Sequence, residues 1–205
     1  MARIGLIDYG AGNFSSVRNA LDYLRLEVIE LRNPAHFETA THLILPGVGA
    51  FASAMRRLEQ LDLVDTLKEQ VLVKRRPFLG ICVGMQVLAS RGREFEEYPG
   101  LGFIEGTVDK INGQGHGLRL PHIGWNELNL IRSSPLFARM NGLPTFYFVH
   151  SYHLVPKEKG VIVATCEYGA EVVSVVEKDN IYGVQFHPEK SQRGGLQLLK
   201  NFALI

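Results

Sequence analysis

Pro77-Phe78-Leu79-Gly80-Ile81-Cys82-Val83-Gly84-Met85-Gln86-Val87-Leu88 is the stretch on which the fold turns. An apolar run of strand length, Pro77 to Cys82, carries a glycine on each side of its cysteine and passes straight into Gly84-Met85-Gln86-Val87-Leu88, which reads as a helix start. The same cadence occurs twice upstream. Ile4 to Asp8 reads as a buried strand and Tyr9-Gly10-Ala11-Gly12-Asn13 as its turn; Val17, Ala20, Leu21 and Leu24 then follow at i, i+3, i+4 and i+7, one face of a helix. His42-Leu43-Ile44-Leu45 is the next strand, Pro46-Gly47-Val48-Gly49 its turn, and Ala54, Met55, Leu58 and Leu61 the face of the helix after it. Repeated strand-turn-helix units predict a parallel sheet covered by helices on both faces.

Beyond about Gly100 the texture becomes β-rich: Gly102 to Ile111, Thr145 to Ser151, Val161 to Tyr168, Val172 to Glu177 and Ile181 to Phe186, then a helical Leu196 to Phe202. No repeat, linker or low-complexity tract divides the halves, so residues 1–205 are expected to form one domain with a mixed sheet.

A chain of 205 residues with 46% apolar and 21% charged composition is that of a globular protein, large enough to bury roughly 70% of its unfolded surface without disulfides or a structural metal. Two cysteines, Cys82 and Cys166, are too few for a disulfide framework and fit a reducing cytosol. A net charge of +1 gives no footprint for nucleic acid. The densest basic run, Lys74-Arg75-Arg76, reads as a solvated helix end. No apolar run approaches the length of a membrane span and the N-terminal stretch is not a signal peptide, so a cytoplasmic protein with no membrane contact is expected.

Gly10-Ala11-Gly12 lacks the third glycine of a dinucleotide fingerprint, and no phosphate-binding G-x-x-x-x-G-K-[ST] occurs, so no cofactor is expected. His150-x-x-His153 has no further ligands at metal spacing, and no metal is expected. Gly80-Ile81-Cys82-Val83-Gly84 is different: G-x-nucleophile-x-G at a strand-to-helix junction is a nucleophile elbow with cysteine in place of serine. The sharp turn strains the nucleophile's backbone, leaves no room for side chains on either flank, and projects Cys82 Sγ into accessible space at the following helix terminus. A free thiol is mostly protonated at neutral pH, so a nearby base is needed. Phe186-His187-Pro188-Glu189-Lys190 supplies one at the end of the last apolar strand. In extended backbone His187 and Glu189 leave the same side, and the carboxylate orients and stabilises the imidazole. Cys166, inside an apolar run, reads as a core thiol.

Gly80 to Gln86 together with His187-Pro188-Glu189 resembles the class I, triad-type, glutamine amidotransferases. The segments Asp8 to Asn13, Leu45 to Phe51, Pro121-His122-Ile123-Gly124-Trp125-Asn126 and Tyr147 to Tyr152 are similar to one branch of that family, in which the glutaminase serves a synthase of histidine biosynthesis. The likeness runs from Ile4 to Phe202; Ile123 stands where methionine is commoner. It implies a flavodoxin-like α/β fold in which Cys82 attacks the amide of L-glutamine, His187 protonates the departing ammonia and Glu189 holds His187. It also implies oxyanion donors at Val83 and at Val48 or Gly49, a glutamine site built from Gly47, Gln86, Glu94, Ser151 and Tyr152, and a (β/α)8 barrel partner that uses the ammonia to make imidazole glycerol phosphate. Asn13 and Lys190, on the rim beside the triad, and Trp125, in the branch motif, are the candidate partner contacts. Three alternatives stay open at this point: a paralogue feeding a cell-surface sugar amination enzyme, a stand-alone cysteine hydrolase, and a catalytically dead binding module.

Overall fold

The computed structural model describes residues 2–112, 119–140 and 145–205. Five strands, β1 (Arg3–Ile7), β2 (Glu27–Leu31), β3 (His42–Gly47), β4 (Phe78–Cys82) and β14 (Ile181–Val184), pair parallel in the order β2-β1-β3-β4-β14. This is the strand order of the doubly wound, flavodoxin-like α/β folds. Ile4, Leu6, Leu43, Ile44, Leu45, Phe78, Leu79 and Ile81 are fully buried, which is why these strands read as continuous apolar runs rather than alternating ones. The helices α1 (Phe14–Tyr23) and α5 (Gln192–Phe202) pack together, and Phe202 of α5 meets His42 and Tyr182 edge-on across the sheet. The opposite face is covered by α4 (Val83–Gln86), behind which lies α2 (Phe51–Gln60); α3 (Leu63–Lys68) packs on α2 and runs into a wider turn, Glu69–Val73.

Three sequence expectations change. β2 was not marked by its sequence, because Glu27-Val28-Ile29-Glu30-Leu31 is an edge strand with a glutamate on each face, Glu27 exposed and Glu30 half-buried; Glu30 is paired by Arg18 and Arg32, which covers the edge with charge. The helix expected over Gly84 to Leu88 is the single turn α4. The carbonyls of Val87, Leu88 and Ala89 are taken by the N–H groups of Leu101, Ile104 and Gly102, so the chain leaves helical geometry and enters β5 (Ala89–Gly92). Among the described residues the single mixed sheet becomes three sheets. The parallel strands continue antiparallel through β13 (Glu171–Lys178), β12 (Ile162–Glu167) and β9 (Asn129–Leu130) into one eight-stranded sheet. A four-stranded sheet holds β5, β6 (Tyr98–Pro99), β7 (Ile104–Lys110) and β11 (Tyr152–Pro156), and a two-stranded one holds β8 (His122–Glu127) and β10 (Thr145–His150).

The basic run at 74–76 is paired rather than merely solvated. Lys74 bonds Glu38 and Glu69, Arg75 faces Asp179, and Arg76 holds Glu38 and the carbonyl of Phe37, tying the Glu69–Val73 turn to the short 3-10 helix Pro34–Thr39. Cys166 is fully buried in β12, and burial pushes its thiol up to about 11.

Candidate active site

The carboxyl ends of β1, β3, β4 and β14 form one rim, on which Gly47 is the register partner of Cys82 and Val184 that of Ile81. Cys82 takes φ +55° and ψ −111°, a strained conformation for a side-chain-bearing residue. The elbow closes because three glycines interlock. A Cβ at Gly80 would stand 2.3 Å from the Gly84 carbonyl oxygen, one at Gly84 would stand 1.9 Å from that of Leu45, and one at Gly47 would stand 2.7 Å from the Gly84 nitrogen. Cys82 is only 3% exposed, so the thiol lies at the floor of a recess rather than out in solvent. The helix behind it is one turn long, too short for much of a macrodipole.

Strands β14 and β10 position His187. The N–H of His187 bonds the carbonyl of Tyr147 at 2.9 Å, and Ser191 Oγ accepts from the Tyr147 N–H at 3.0 Å while donating to the His187 carbonyl at 2.6 Å. Glu189 reaches His187 by a route other than the extended backbone expected from the sequence: Pro188 starts a one-turn 3-10 helix, Pro188–Lys190, and the turn swings the carboxylate back. Nδ1 of His187 and Oε1 of Glu189 are 2.8 Å apart, with both side chains wholly shielded from solvent. Asn13 Nδ2 donates to the same carboxylate oxygen at 3.3 Å. Burial works against the charged imidazole, but the Cys82 thiol on one side and Glu189 on the other outweigh it and raise the His187 pKa from 6.5 to about 9. Nε2 of His187 is buried, close to Cys82, and has no aligned hydrogen-bond partner among the described residues.

A pocket of about 190 Å³ opens over the thiol, lined by Val48, Gly49, Cys82, Val83, Gln86, Glu94, Val149, His150, Ser151 and Tyr152. Seven of the sequence-predicted residues besides Cys82 therefore converge on it. Gln86 has its amide orientation fixed: Nε2 donates to the Tyr152 carbonyl at 2.9 Å and to Gln185 Oε1 at 3.1 Å, leaving Oε1 as the atom free to accept a bond from a bound molecule. Glu94 caps α2 through the N–H of Phe51 at 2.8 Å. Gly47 is not part of the lining; it packs under the elbow, where its missing Cβ makes room for the Tyr9 hydroxyl as well.

Four further residues shape the site: Gln185 went unmarked in the sequence, and Tyr9, His122 and His150 stood there only within motifs or in a rejected metal pair. Gln185, fully buried just past the end of β14 and two residues before His187, brings its amide to Cys82 Sγ at 3.7 Å; a polar residue inside an apolar run was the available signal. Tyr9 has a buried hydroxyl with no partner among the described residues, and burial, with the neighbouring Cys82, pushes its phenol above its ordinary range. His122 and His150 bond Nδ1 to Nε2 at 3.1 Å. His150 Nδ1 donates to the Tyr152 carbonyl at 2.8 Å and Asn126 supplies His122 Nε2 at 3.3 Å, so both rings are neutral. Burial holds them at about 4 and about 3 respectively. His150 is thus committed to His122 and Tyr152, and His153 lies apart from it on β11.

Of the candidate partner contacts, Trp125 is half exposed on β8 beside Tyr147, with Ile123 outward on the same face, and Lys190 is exposed. Asn13 is corrected: it is buried, and its amide is turned inward to Glu189 instead of outward to a docking surface.

Residues 5–205 match the family described as glutamine amidotransferase class-I. The chain is 46% identical over 202 residues to imidazole glycerol phosphate synthase subunit HisH 1 of Campylobacter jejuni, covering 98% of this chain and 100% of that one. It is 45% identical to subunit HisH of Geobacter sulfurreducens, covering 98% of each. Among solved structures it is similar to a glutamine amidotransferase with a TM-score of 0.75 at 23% identity, covering 98% of this chain and 99% of that one. A glutamine amidotransferase from Thermotoga maritima has a TM-score of 0.64 at 18% identity, covering 98% of this chain and 82% of that one. With a cysteine elbow, a His187–Glu189 pair and full-length likeness all in agreement, the chain belongs to the class-I glutamine amidotransferase family.

Proposed function

We propose that this chain is the glutaminase subunit of an imidazole glycerol phosphate synthase: residues 1–205 act as one cytoplasmic amidotransferase domain that releases ammonia from L-glutamine for a separate (β/α)8 synthase subunit. The observation that carries the reading is a cysteine elbow at the floor of a pocket of about 190 Å³, with a buried His187–Glu189 pair beside the cysteine. That volume is below the range typical of drug-sized ligands and suits a single amino acid.

Cys82 Sγ passes its proton to His187 Nε2 and attacks the side-chain carbonyl of glutamine. The N–H of Val83 and one from Val48 or Gly49 bind the oxyanion; each such donor is worth about 2.7–4 kcal/mol in the barrier. His187 then protonates the leaving nitrogen, ammonia departs, and water hydrolyses the thioester to glutamate with His187 as base. Glu189 is the orienting carboxylate and remains ionised throughout. Gln86 Oε1 accepts from the substrate, and Glu94 with the backbone of Ser151 and Tyr152 completes the glutamine site. The freed ammonia goes to the barrel, which forms imidazole glycerol phosphate and aminoimidazole carboxamide ribotide. Trp125 and Lys190 face that partner.

The division of labour is tested by Cys82→Ala in the complex with the synthase. Synthesis from glutamine should vanish while synthesis from ammonium salts at elevated pH persists, because the thiol only makes ammonia. Loss of both in a folded complex would overturn the reading.

A further inference from the structure

The triad leaves one contact of the nucleophile unexplained. Besides His187, whose Nε2 lies close by without an aligned partner among the described residues, Cys82 Sγ is approached by Gln185, whose Nε2 donates to it at 3.7 Å. The polarity of that contact is fixed by what lies behind it. Gln185 Oε1 accepts from Gln86 Nε2 at 3.1 Å, and Gln86 Nε2 spends its other hydrogen on the Tyr152 carbonyl at 2.9 Å. The same carbonyl accepts from His150 at 2.8 Å. A carbonyl can only accept, so the direction of donation propagates from Tyr152 back to the thiol. Turning the Gln185 amide over would set its oxygen against Sγ and its NH2 against the NH2 of Gln86. Gln185 is itself immobile: its side chain is fully buried and its N–H bonds the Ser174 carbonyl at 2.9 Å.

We propose that Gln185 is a positioning residue for the nucleophile, presenting a fixed N–H to Cys82 Sγ that holds the sulfur in place and stabilises the negative charge left when its proton passes to His187. A charge-assisted bond in a shielded site is stronger than a neutral one, so this donor gains strength as the thiolate forms, which is the direction that favours attack. Gln86 has two duties in consequence: its oxygen faces the pocket while its NH2 orients Gln185.

The inference rests on the glutaminase reading, and the test separates the two. In the complex of the full chain with its synthase at pH 8, the rate of Cys82 alkylation by iodoacetamide reads the thiol without glutamine; thioester formation from glutamine reads the reaction. Gln185→Met keeps the bulk and removes the donor; both rates should fall about 10- to 100-fold, with glutamine KM within about threefold and the thermal midpoint near that of the unaltered complex. Gln185→Glu keeps the shape and the acceptor for Gln86 but puts a carboxylate oxygen against sulfur, so it should be slower than Gln185→Met in both assays. A residue that only filled space would leave Gln185→Met near the unaltered rates in both assays, because methionine keeps the bulk. Rates within twofold of the unaltered complex in either variant, or Gln185→Glu faster than Gln185→Met, overturn the proposal. If Gln185→Met fails to fold, Gln185→Glu alone decides on the alkylation rate. Failure of the unaltered complex to form a thioester would defeat the glutaminase reading instead, and the iodoacetamide comparison would still judge Gln185.

Discussion

Replacing Gly84 by alanine tests whether the elbow is held by backbone contact alone. The added Cβ would lie 1.9 Å from the Leu45 carbonyl oxygen and 2.9 Å from its carbon. Carbon–oxygen contacts close only to about 3.3 Å, so the turn and β3 must separate by roughly 1.4 Å. Neither side gives easily. Leu45 is fully buried in a strand paired on both edges, and the Gly84 carbonyl already fills the space of a Cβ at Gly80 on β4. Overpacking costs typically 1–3 kcal/mol, and a clash with backbone rather than a flexible side chain belongs at the top of that range, about 3 kcal/mol. Against a total of about 5–15 kcal/mol the protein still folds. A displacement of more than about 1 Å between Cys82 and His187 should then slow thioester formation about 100-fold. Gly49→Ala is a comparison for stability only: among the described residues nothing lies within 4 Å of the new Cβ, so its loss reflects the φ of +93° alone, a strained backbone costing about 1–3 kcal/mol. Denaturant unfolding and single-turnover kinetics on the complex give both quantities. A Gly84→Ala loss below about 1 kcal/mol with thioester formation within threefold of normal would refute the interlocked-glycine account.

His187 has a folded pKa of about 9 against 6.5 unfolded, so it contributes stability in full below about pH 6.5 and loses it as pH rises through 9; the difference is worth about 3 kcal/mol. Unfolding free energies from pH 6 to 10 should decline in the unaltered chain and decline less in His187→Asn, and a flat curve for the unaltered chain contradicts the assignment. His122 and His150 act with the opposite sign, since burial holds them at about 4 and about 3: their contribution is complete above about pH 6.5 and drains away on acidification. His122→Phe retains a ring between Phe148 and Tyr168, so it should shallow the loss of stability between pH 6 and 4, and an unchanged acid limb speaks against the buried pair. Trp125→Ala should weaken synthase binding by about 2 kcal/mol or more, roughly 30-fold, with Lys190→Ala the smaller effect; titration of the partner against glutaminase rate measures both, and unchanged affinity in Trp125→Ala would remove that face from the interface.

The chain spelled out its parallel core because strands buried on both faces must be apolar throughout, and the run Leu43-Ile44-Leu45 or Phe78-Leu79 has no other comfortable setting. The elbow at Cys82 was legible because the turn admits no side chain at positions 80 and 84, a constraint that only glycine meets. The pairing of His187 with Glu189 was also legible, though by a mistaken route: proximity along the chain sufficed, while the 3-10 turn that achieves it depends on packing. Local patterning did not reach β2, where a glutamate on each face breaks the apolar run, or the shortness of α4, which is decided by Leu101, Gly102 and Ile104 arriving from another part of the chain. Nor did it give Asn13, which looks like a rim residue in sequence and is drawn inward by Glu189 across 176 positions. The Gln185–Gln86–Tyr152–His150–His122 network belongs to the tertiary structure entirely. Its members come from four separate segments of the chain, and each is polar where burial leaves no water to bond. Their partners are therefore set by the one folded arrangement that satisfies them all, a condition that exists only after the sheets have closed around them.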